Sequence, residues 1–575
     1  MYRITFSHRG NFEHKAWIKS PLSWRILKVQ GCVVRMYVLP VNYCMHFPAT
    51  LNVIVKPYEN LCILSPPLII DKAGVDQIVD ILRDRIIIVQ KLTLSQYFDI
   101  KPIEIRGCFN MLNRFAEIHL ETWLNKSNRK PLVLRGARQV GKSTLVREFA
   151  RKRKKKLIEI NLERHLFLDD IFKTLDIDAA LREIEALSGI PLSASDTILF
   201  FDEIQSTPHA LQLLRYFFEE KKELPVIAAG SLLEFTLADH SFSMPVGRIE
   251  YMHLGPMTFS EFITAVEPSL TKYIENFSMT SPLPITAHEK LKKRQRDYVL
   301  IGGMPEAVQI WCETGSIRDV ADVHRSITET YQDDFSKYAQ SHQLALMQRI
   351  FRTIPRIVGN KVKYSNISRE HPSKNVKDVL ELLSKAKICH RIYHSHCSGL
   401  PLNADIKETV YKLLFMDIGM MNYICGNDWT FLKSFPDHEL VNEGAIAEQF
   451  IGQHLLSAHV FSPSLNYWVR QAKTSNAEVD YVISHGPLII PVEVKSGKSG
   501  SLKSLQQFTT KKNTPLAVRF DLNPHSIQEV SHQISTGNGM KFANYKLLSL
   551  PLYLVEALPN VLDEIRTQIK SVTQA

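Results

Sequence analysis

The sequence predicts an α/β chain of several domains: a parallel sheet carrying a phosphate-binding loop, a helical middle, and a second α/β domain towards the C-terminal end. Three observations predict it. The run Gly136-Ala137-Arg138-Gln139-Val140-Gly141-Lys142-Ser143 fits the phosphate-loop pattern G-x-x-x-x-G-K-S/T. Downstream, Thr197 to Ile204 reads as a buried strand that closes in Asp202-Glu203. Near the C-terminal end, Ala477 to Ile483 and Leu488 to Lys495 alternate apolar and polar residues on either side of His485-Gly486-Pro487, a turn signal.

The loop comes first. Pro131 to Arg135 reads as a short buried strand, and Thr144 to Ala150 carries helical periodicity without a breaker. Between strand and helix, successive backbone N–H groups and the positive end of the helix can surround a triphosphate. Lys142 is expected to reach the β- and γ-phosphates, and the Ser143 hydroxyl to ligate Mg²⁺, with Thr144 closing the loop.

The strand Thr197 to Asp202 supplies the acidic half of such a site. Asp202 is the expected partner of the Mg²⁺ through its water shell, and Glu203 the carboxylate that polarises the attacking water. A third strand, Pro225 to Ala229, leads to Gly230-Ser231. Ser231 is either a sensor of the γ-phosphate or an ordinary helix N-cap. Arg248 is a candidate for stabilising transition-state charge, in its own chain or towards a neighbouring subunit, and is equally readable as a surface arginine.

In the C-terminal hairpin, Glu493 and Lys495 lie two residues apart and hence on one face of a strand. Asp480 stands on the preceding strand. Glu448, in the helical run Gly444 to Ile451, is placed to add a third carboxylate. Taken alone, the Glu-x-Lys pair is also what an ordinary half-exposed strand looks like.

Together these residues carry a family resemblance. Leu132 to Thr144, Phe201 to Gln205, Gly230-Ser231, Gly247-Arg248, Pro256 to Phe262 and Gly302 to Ala307 resemble the prokaryotic AAA+-type P-loop ATPases that end in a nuclease-like domain of unknown function. The resemblance covers roughly residues 111–560. It implies ATP with Mg²⁺ as the ligands and ATP hydrolysis as the activity. It also implies a helical lid over 266–335, a winged-helix-like segment over 336–410 and a restriction-endonuclease-like domain over 411–560, after an ATPase domain over 111–265. Asp480, Glu493 and Lys495 match the D…E-x-K spacing of PD-(D/E)XK nucleases, in which two carboxylates hold a divalent ion and the lysine assists the attacking water. No proline precedes Asp480, which is a departure from that signature.

Between the recognisable domains, Leu344 to Val358 and Val376 to Ala386 have helix-compatible patterns. Ile392 to His396 with Gly399 to Leu402 is expected to form a wing hairpin. A DNA-reading helix would then lie near Lys374 to Lys387, although the same fold also serves protein contacts. Cys389, His390, His394, His396 and Cys397 crowd one segment, which fits a short strand pair with solvent-facing histidines better than a zinc site.

Length and composition bound the rest. At 575 residues the chain is too long for one core, and its 45% hydrophobic and 22% charged residues are those of a globular protein. With no long apolar run and no charged-then-apolar start, a cytoplasmic location without a membrane partner is expected. Eight cysteines at irregular spacings argue against a disulfide framework. The net charge of +11 suggests an anionic partner, but residues 1–110, with 14 Lys and Arg against 8 Asp and Glu, hold more than half of it. The basic run Arg151 to Lys156 reads as a solvated helix end offsetting the helix dipole, with nucleic-acid phosphate contact as the alternative.

Residues 1–110 precede everything the family resemblance covers. Residues 57–88 are similar to the C-terminal end of class III aminotransferases, without the Schiff-base lysine or its domain. The expectation is a fused remnant, against a genuine accessory domain. For the whole chain the first reading is an ATP-dependent switch or motor with a C-terminal effector or recognition module, its DNA or protein partner and its oligomeric state open. The rivals are a metal-dependent nuclease gated by ATP and a non-catalytic nucleotide-dependent interaction module.

Overall fold

In the computed structural model the chain divides into two units, Met1–Met111 and Leu112–Ala575. The first is described only in four strands: β1 (Trp24–Val29) pairs antiparallel with β2 (Cys32–Tyr37), and β3 (Ile54–Lys56) with β4 (Leu61–Ile63). The sequence also reads as helix from Val75 to Ile86, a stretch that lies outside the described residues. The second unit is described over 112–573, apart from 193–195, 232, 234–246, 282, 338, 427–442, 471–476, 498–501 and 537–538.

The second unit opens with helix α1 (Ala116–Leu124) and builds a five-stranded sheet, all parallel, in the order β9-β5-β8-β7-β6. Its strands are β5 (Leu132–Arg135), β6 (Lys156–Asn161), β7 (Thr197–Asp202), β8 (Val226–Ala229) and β9 (Glu250–His253). Helices α2 (Lys142–Lys152), α3 (Leu168–Phe172), α4 (Ile177–Ser188) and α5 (Pro208–Glu220) connect them. Strand periodicity assigns the side chains to two layers. Val133, Leu199, Phe201 and Ala228 pack against α3, α4 and α5, whereas Leu132, Leu134, Ile198, Phe200 and Ile227 join a larger core that runs through the helical middle into the C-terminal domain. All strands being parallel, their C-terminal ends share one edge, the edge at which open α/β sheets bind ligands.

The middle is helical. Helix α6 (Phe259–Val266) starts on a capping box in which the Thr258 hydroxyl and the Glu261 carboxylate each satisfy the other's backbone N–H. After it come α7 (Thr271–Glu275), α8 (Ile285–Ile301), α9 (Pro305–Thr314), α10 (Ile317–Asp334), α11 (Ser341–Ile357), α12 (Tyr364–Ile367) and α13 (Ser373–Lys385). The hairpin β10 (Cys389–Ser395) and β11 (Ile406–Phe415) comes next.

This hairpin corrects two expectations. Its second strand starts at Ile406, beyond the expected Gly399 to Leu402, because the chain turns at Leu402–Asp405 just after Pro401, which has no N–H to give a ladder. It is also not a free wing, since β10 pairs in parallel with β12 (Asn466–Arg470). The expected domain boundary at 410/411 therefore falls inside β11. His394, expected to face solvent, is buried, and its Nδ1 accepts the Val469 N–H at 3.3 Å.

The C-terminal sheet is mixed and eight-stranded, in the order β11-β10-β12-β13-β14-β15-β17-β16. The added strands are β13 (Ala477–His485), β14 (Leu488–Val494), β15 (Leu516–Asp521), β16 (Ser526–Thr536) and β17 (Gly539–Pro551). Helices α14 (Ile418–Cys425), α15 (Glu443–Ser457), α16 (Lys503–Lys512) and α17 (Leu558–Thr573) accompany it. The hairpin expected at His485-Gly486-Pro487 is present, with His485 opposite Leu488.

Candidate functional site

The phosphate loop joins the end of β5 to the start of α2. Gly136 adopts φ +154°, and a Cβ there would stand 2.1 Å from the Leu254 carbonyl oxygen, so only glycine allows the loop to pass β9. Gly141, at φ +88°, sits one residue before the helix begins at Lys142. Gln139 also takes positive φ, while Ala137 and Val140 are buried and anchor the loop from below.

Three of the expected site residues converge. The Ser143 hydroxyl donates to the Asp202 carboxylate at 2.8 Å, across 59 residues of sequence. Lys142 is buried, and its ammonium donates to the Gly136 and Ala137 carbonyls at 3.0 and 2.7 Å. Burial brings the Lys142 pKa down to about 8, against the pull of Glu203 and Asp202. Burial likewise raises the Asp202 carboxyl, with the Ser143 hydrogen bond opposing. Glu203 follows Asp202 in a left-handed backbone conformation, φ +53°, and Gln205 Nε2 donates to its Oε2 at 2.6 Å. Ser231 Oγ is buried without a hydrogen-bond partner.

Other residues hold the loop that the sequence did not single out. Arg114 donates to the Val140 carbonyl at 2.7 Å and pairs with Glu261 at 3.1 Å, tying the loop to the capping box of α6. From α10, the Tyr331 hydroxyl donates to the Arg138 carbonyl at 2.8 Å, and Asp334 pairs with the Arg138 guanidinium at 2.8 Å. No local pattern announces these groups, since each acts on a loop far away in the sequence.

Arg248 is not part of this constellation. The parallel register sets Leu132 opposite Glu250 and Arg135 opposite His253, so Arg248 precedes the strand at the edge away from the loop. There it is 44% exposed and pairs with Glu219 at 2.9 Å. Action within its own chain is corrected by that placement. The basic run after α2 is also engaged: Arg151 pairs with Glu148, Lys152 with Glu117, Arg153 with Glu121 and Lys156 with Asp196.

Comparison with known families assigns three segments. Residues 128–263 match an AAA domain, 292–430 a domain of unknown function (DUF8612) and 443–542 another (DUF4143). Comparison with curated proteins returns no match. Among solved structures the chain is similar to C. elegans PCH-2, at 13% identity and TM-score 0.21, covering 36% of this chain and 61% of that one. It is also similar to the Thermotoga maritima RuvB Holliday junction branch migration motor, at 16% identity and TM-score 0.22, covering 48% of this chain and 84% of that one. A variant of that motor gives 16% identity, 48% and 88% coverage and a TM-score of 0.24. The chain thus spans less than two thirds of PCH-2, and at these scores nothing transfers from either protein. The matched segments leave out residues 57–88, where the aminotransferase resemblance lies.

Beyond the segment that matches an AAA domain, the C-terminal hairpin brings its acids together around a lysine. Asp480 accepts the Val494 N–H at 2.8 Å, and Lys495 donates to Glu493 at 2.6 Å. Lys412 of β11, only 3% exposed, reaches Glu478 at 2.5 Å, Glu448 at 3.3 Å and Asp480 at 4.0 Å. Burial and then the Asp480 charge push the Glu448 carboxyl up to about 8, and the same two causes push Glu493 up to about 7. Glu493 Oε2 is buried with no hydrogen-bond partner. The expected metal cage of Glu448, Asp480 and Glu493 is corrected here. Among the described residues no three acid, histidine or cysteine side chains are disposed to hold one ion, and a lysine ammonium lies among the carboxylates.

Proposed function

We propose that the chain is an AAA-type ATPase, an ATP-dependent switch whose C-terminal domain is the effector or recognition module. The observation that carries this reading is the 2.8 Å contact between Ser143 and Asp202 beside the buried Lys142, at the C-terminal edge of an all-parallel sheet.

The residues fit ATP with Mg²⁺. Ser143 and Asp202 present a hydroxyl and a carboxylate side by side, the oxygen pair such an ion takes. Ser231 offers an unpartnered hydroxyl to a terminal phosphate. Lys142, now bonded to loop carbonyls, exchanges those neutral acceptors for phosphate oxygens. Bound there, the Mg²⁺ offsets phosphate charge as it develops. Glu203, held at one oxygen by Gln205, has its other oxygen available to orient and polarise the attacking water. Arg248, on the far edge of the sheet, serves only towards a neighbouring subunit if it serves at all.

The output side rests on the clasp between α10 and the loop. Tyr331 and Asp334 act on Arg138, in the middle of the loop, so a change in loop shape is felt by a helix of the adjoining segment. The segment 341–415, three helices and then a hairpin that joins the C-terminal sheet, is where we place contact with a DNA or protein partner. Among the described residues no helix is long and apolar enough to cross a membrane, and a cytoplasmic location remains our reading. The test is ATP turnover by the full chain, with and without DNA, beside Lys142→Ala. Turnover unaffected by that substitution refutes the assignment.

A further inference from the structure

We propose that Lys412 is the resident cation of the C-terminal carboxylate cluster, its ammonium placed among the oxygens of Glu448, Glu478 and Asp480, so that the native chain does not take up a divalent ion there. The starting point is charge. Glu448, Asp480 and Glu493 bring three largely buried carboxyl groups into one region, with the more exposed Glu478 at its rim, and like charges gathered out of water need a counter-charge. Lys495 answers Glu493 at 2.6 Å. The other three have Lys412, whose ammonium lies within 4.0 Å of each and is shielded from solvent.

Lys412 is not a neighbour of these acids in sequence or in the sheet. It stands on β11, at the outer edge, with β10 and β12 between it and the strand of Glu478 and Asp480. Its side chain crosses over Tyr467, 5.2 Å from the ring centre, and ends among the carboxylates. A lysine stem buried in this way costs conformational entropy and desolvation, which the surrounding acids offset. Three carboxylates around one ammonium leave no room for a second cation between the same oxygens. The geometry therefore makes the hairpin β10–β11 a plug, in which a residue of the sheet's edge strand closes the cluster on β13 and β14. The plug is independent of the nucleotide site.

Its role is tested by removing it. Lys412→Met keeps the length and apolar stem but withdraws the charge, leaving four carboxyl groups together and Glu493 Oε2 still without a partner. Oxygen-rich clusters of that kind take hard divalent ions. The experiment is Mn²⁺ titration of the full chain without nucleotide, read by calorimetry and by Tm, each protein being compared with its own Asp480→Asn derivative. The comparison subtracts any Mn²⁺ held at Ser143 and Asp202, and an asparagine still accepts the Val494 N–H.

The expected result is that the native chain and Asp480→Asn respond alike to millimolar Mn²⁺. Lys412→Met is expected to melt lower, to recover by several degrees with Mn²⁺, and to lose that recovery when Asp480→Asn is added. Lys412→Arg should retain the native behaviour. Mn²⁺ uptake by the native chain that Asp480→Asn abolishes overturns the proposal, and so does a folded Lys412→Met that ignores Mn²⁺. Should Lys412→Met fail to fold, the native pair alone still decides.

Discussion

At the scale of single residues, the candidate site separates groups that bind from groups that react. Lys142→Ala removes the one buried cation of the loop, and nucleotide binding is expected to fall below detection in a fluorescent-nucleotide titration. Glu203→Gln keeps the size of the side chain and the reach of its Gln205 partner but loses the base. Binding should persist while turnover drops by roughly two orders of magnitude or more, as loss of a positioned general base does. Equal turnover in Glu203→Gln and the native chain would remove Glu203 from its assigned role. Most of this pocket is legible in the linear sequence because the chemistry is local: the loop glycines, lysine and serine are consecutive, and the acids end one strand. Arg248 is the counter-example. Its neighbourhood in sequence is that of the family motif, yet register sends it to the wrong edge of the sheet.

At the scale of elements, two of the contacts between residues 128–263 and the segments after them carry predictions. The first is the clasp of α10 on the loop. Tyr331→Phe deletes one buried hydroxyl bond to the Arg138 carbonyl, for which we expect a loss of about 1 kcal/mol in thermal unfolding and a measurable change in nucleotide affinity. An affinity identical to the native chain's would show that the loop does not feel α10.

The second contact is His454 of α15, whose Nε2 accepts the Phe259 N–H at 2.8 Å while its Nδ1 donates to the Phe450 carbonyl at 2.7 Å. Accepting at Nε2 requires the neutral ring, and burial holds its pKa down to about 4. An unfolded histidine titrates near 6.5, so the unfolded state binds more protons between those values and stability falls as pH drops through that window. The loss amounts to roughly 3 kcal/mol for His454 by pH 4. His324, also held at about 4 by burial, adds to it. The buried Glu448 and Glu493 carboxyls, raised to about 8 and 7, act in the opposite sense over the same range, so the His454 contribution is read from a variant. His454→Gln should melt lower than the native chain at neutral pH, and the difference should shrink as pH falls from 7.5 to 4.5; a Tm difference that does not change with pH would contradict the buried neutral assignment.

At the scale of the whole molecule, the second unit holds the loop, Asp202 and Glu203. A chain beginning at Leu112 is expected to keep native ATP turnover and nearly the native Tm. Insolubility of that chain, or a Tm lowered by many degrees, would mean that residues 1–111 are integral to the fold.

Short-range pattern is enough to specify a phosphate loop between strand and helix, an acid-ended strand, a charged hairpin, and the helices of the middle. Backbone hydrogen bonding and apolar periodicity act within a few residues, so their signatures survive in a linear reading. Which distant groups meet is decided only in the folded chain. Arg114 and Tyr331 reach the loop from elements far along the chain, the hairpin β10–β11 is an edge of the C-terminal sheet instead of a free wing, and Lys412 lies where a metal was expected. The cause is the same in each case. A buried charge or polar group takes whatever partner packing brings within about 3 Å, and sequence spacing carries no information about a partner supplied by another element.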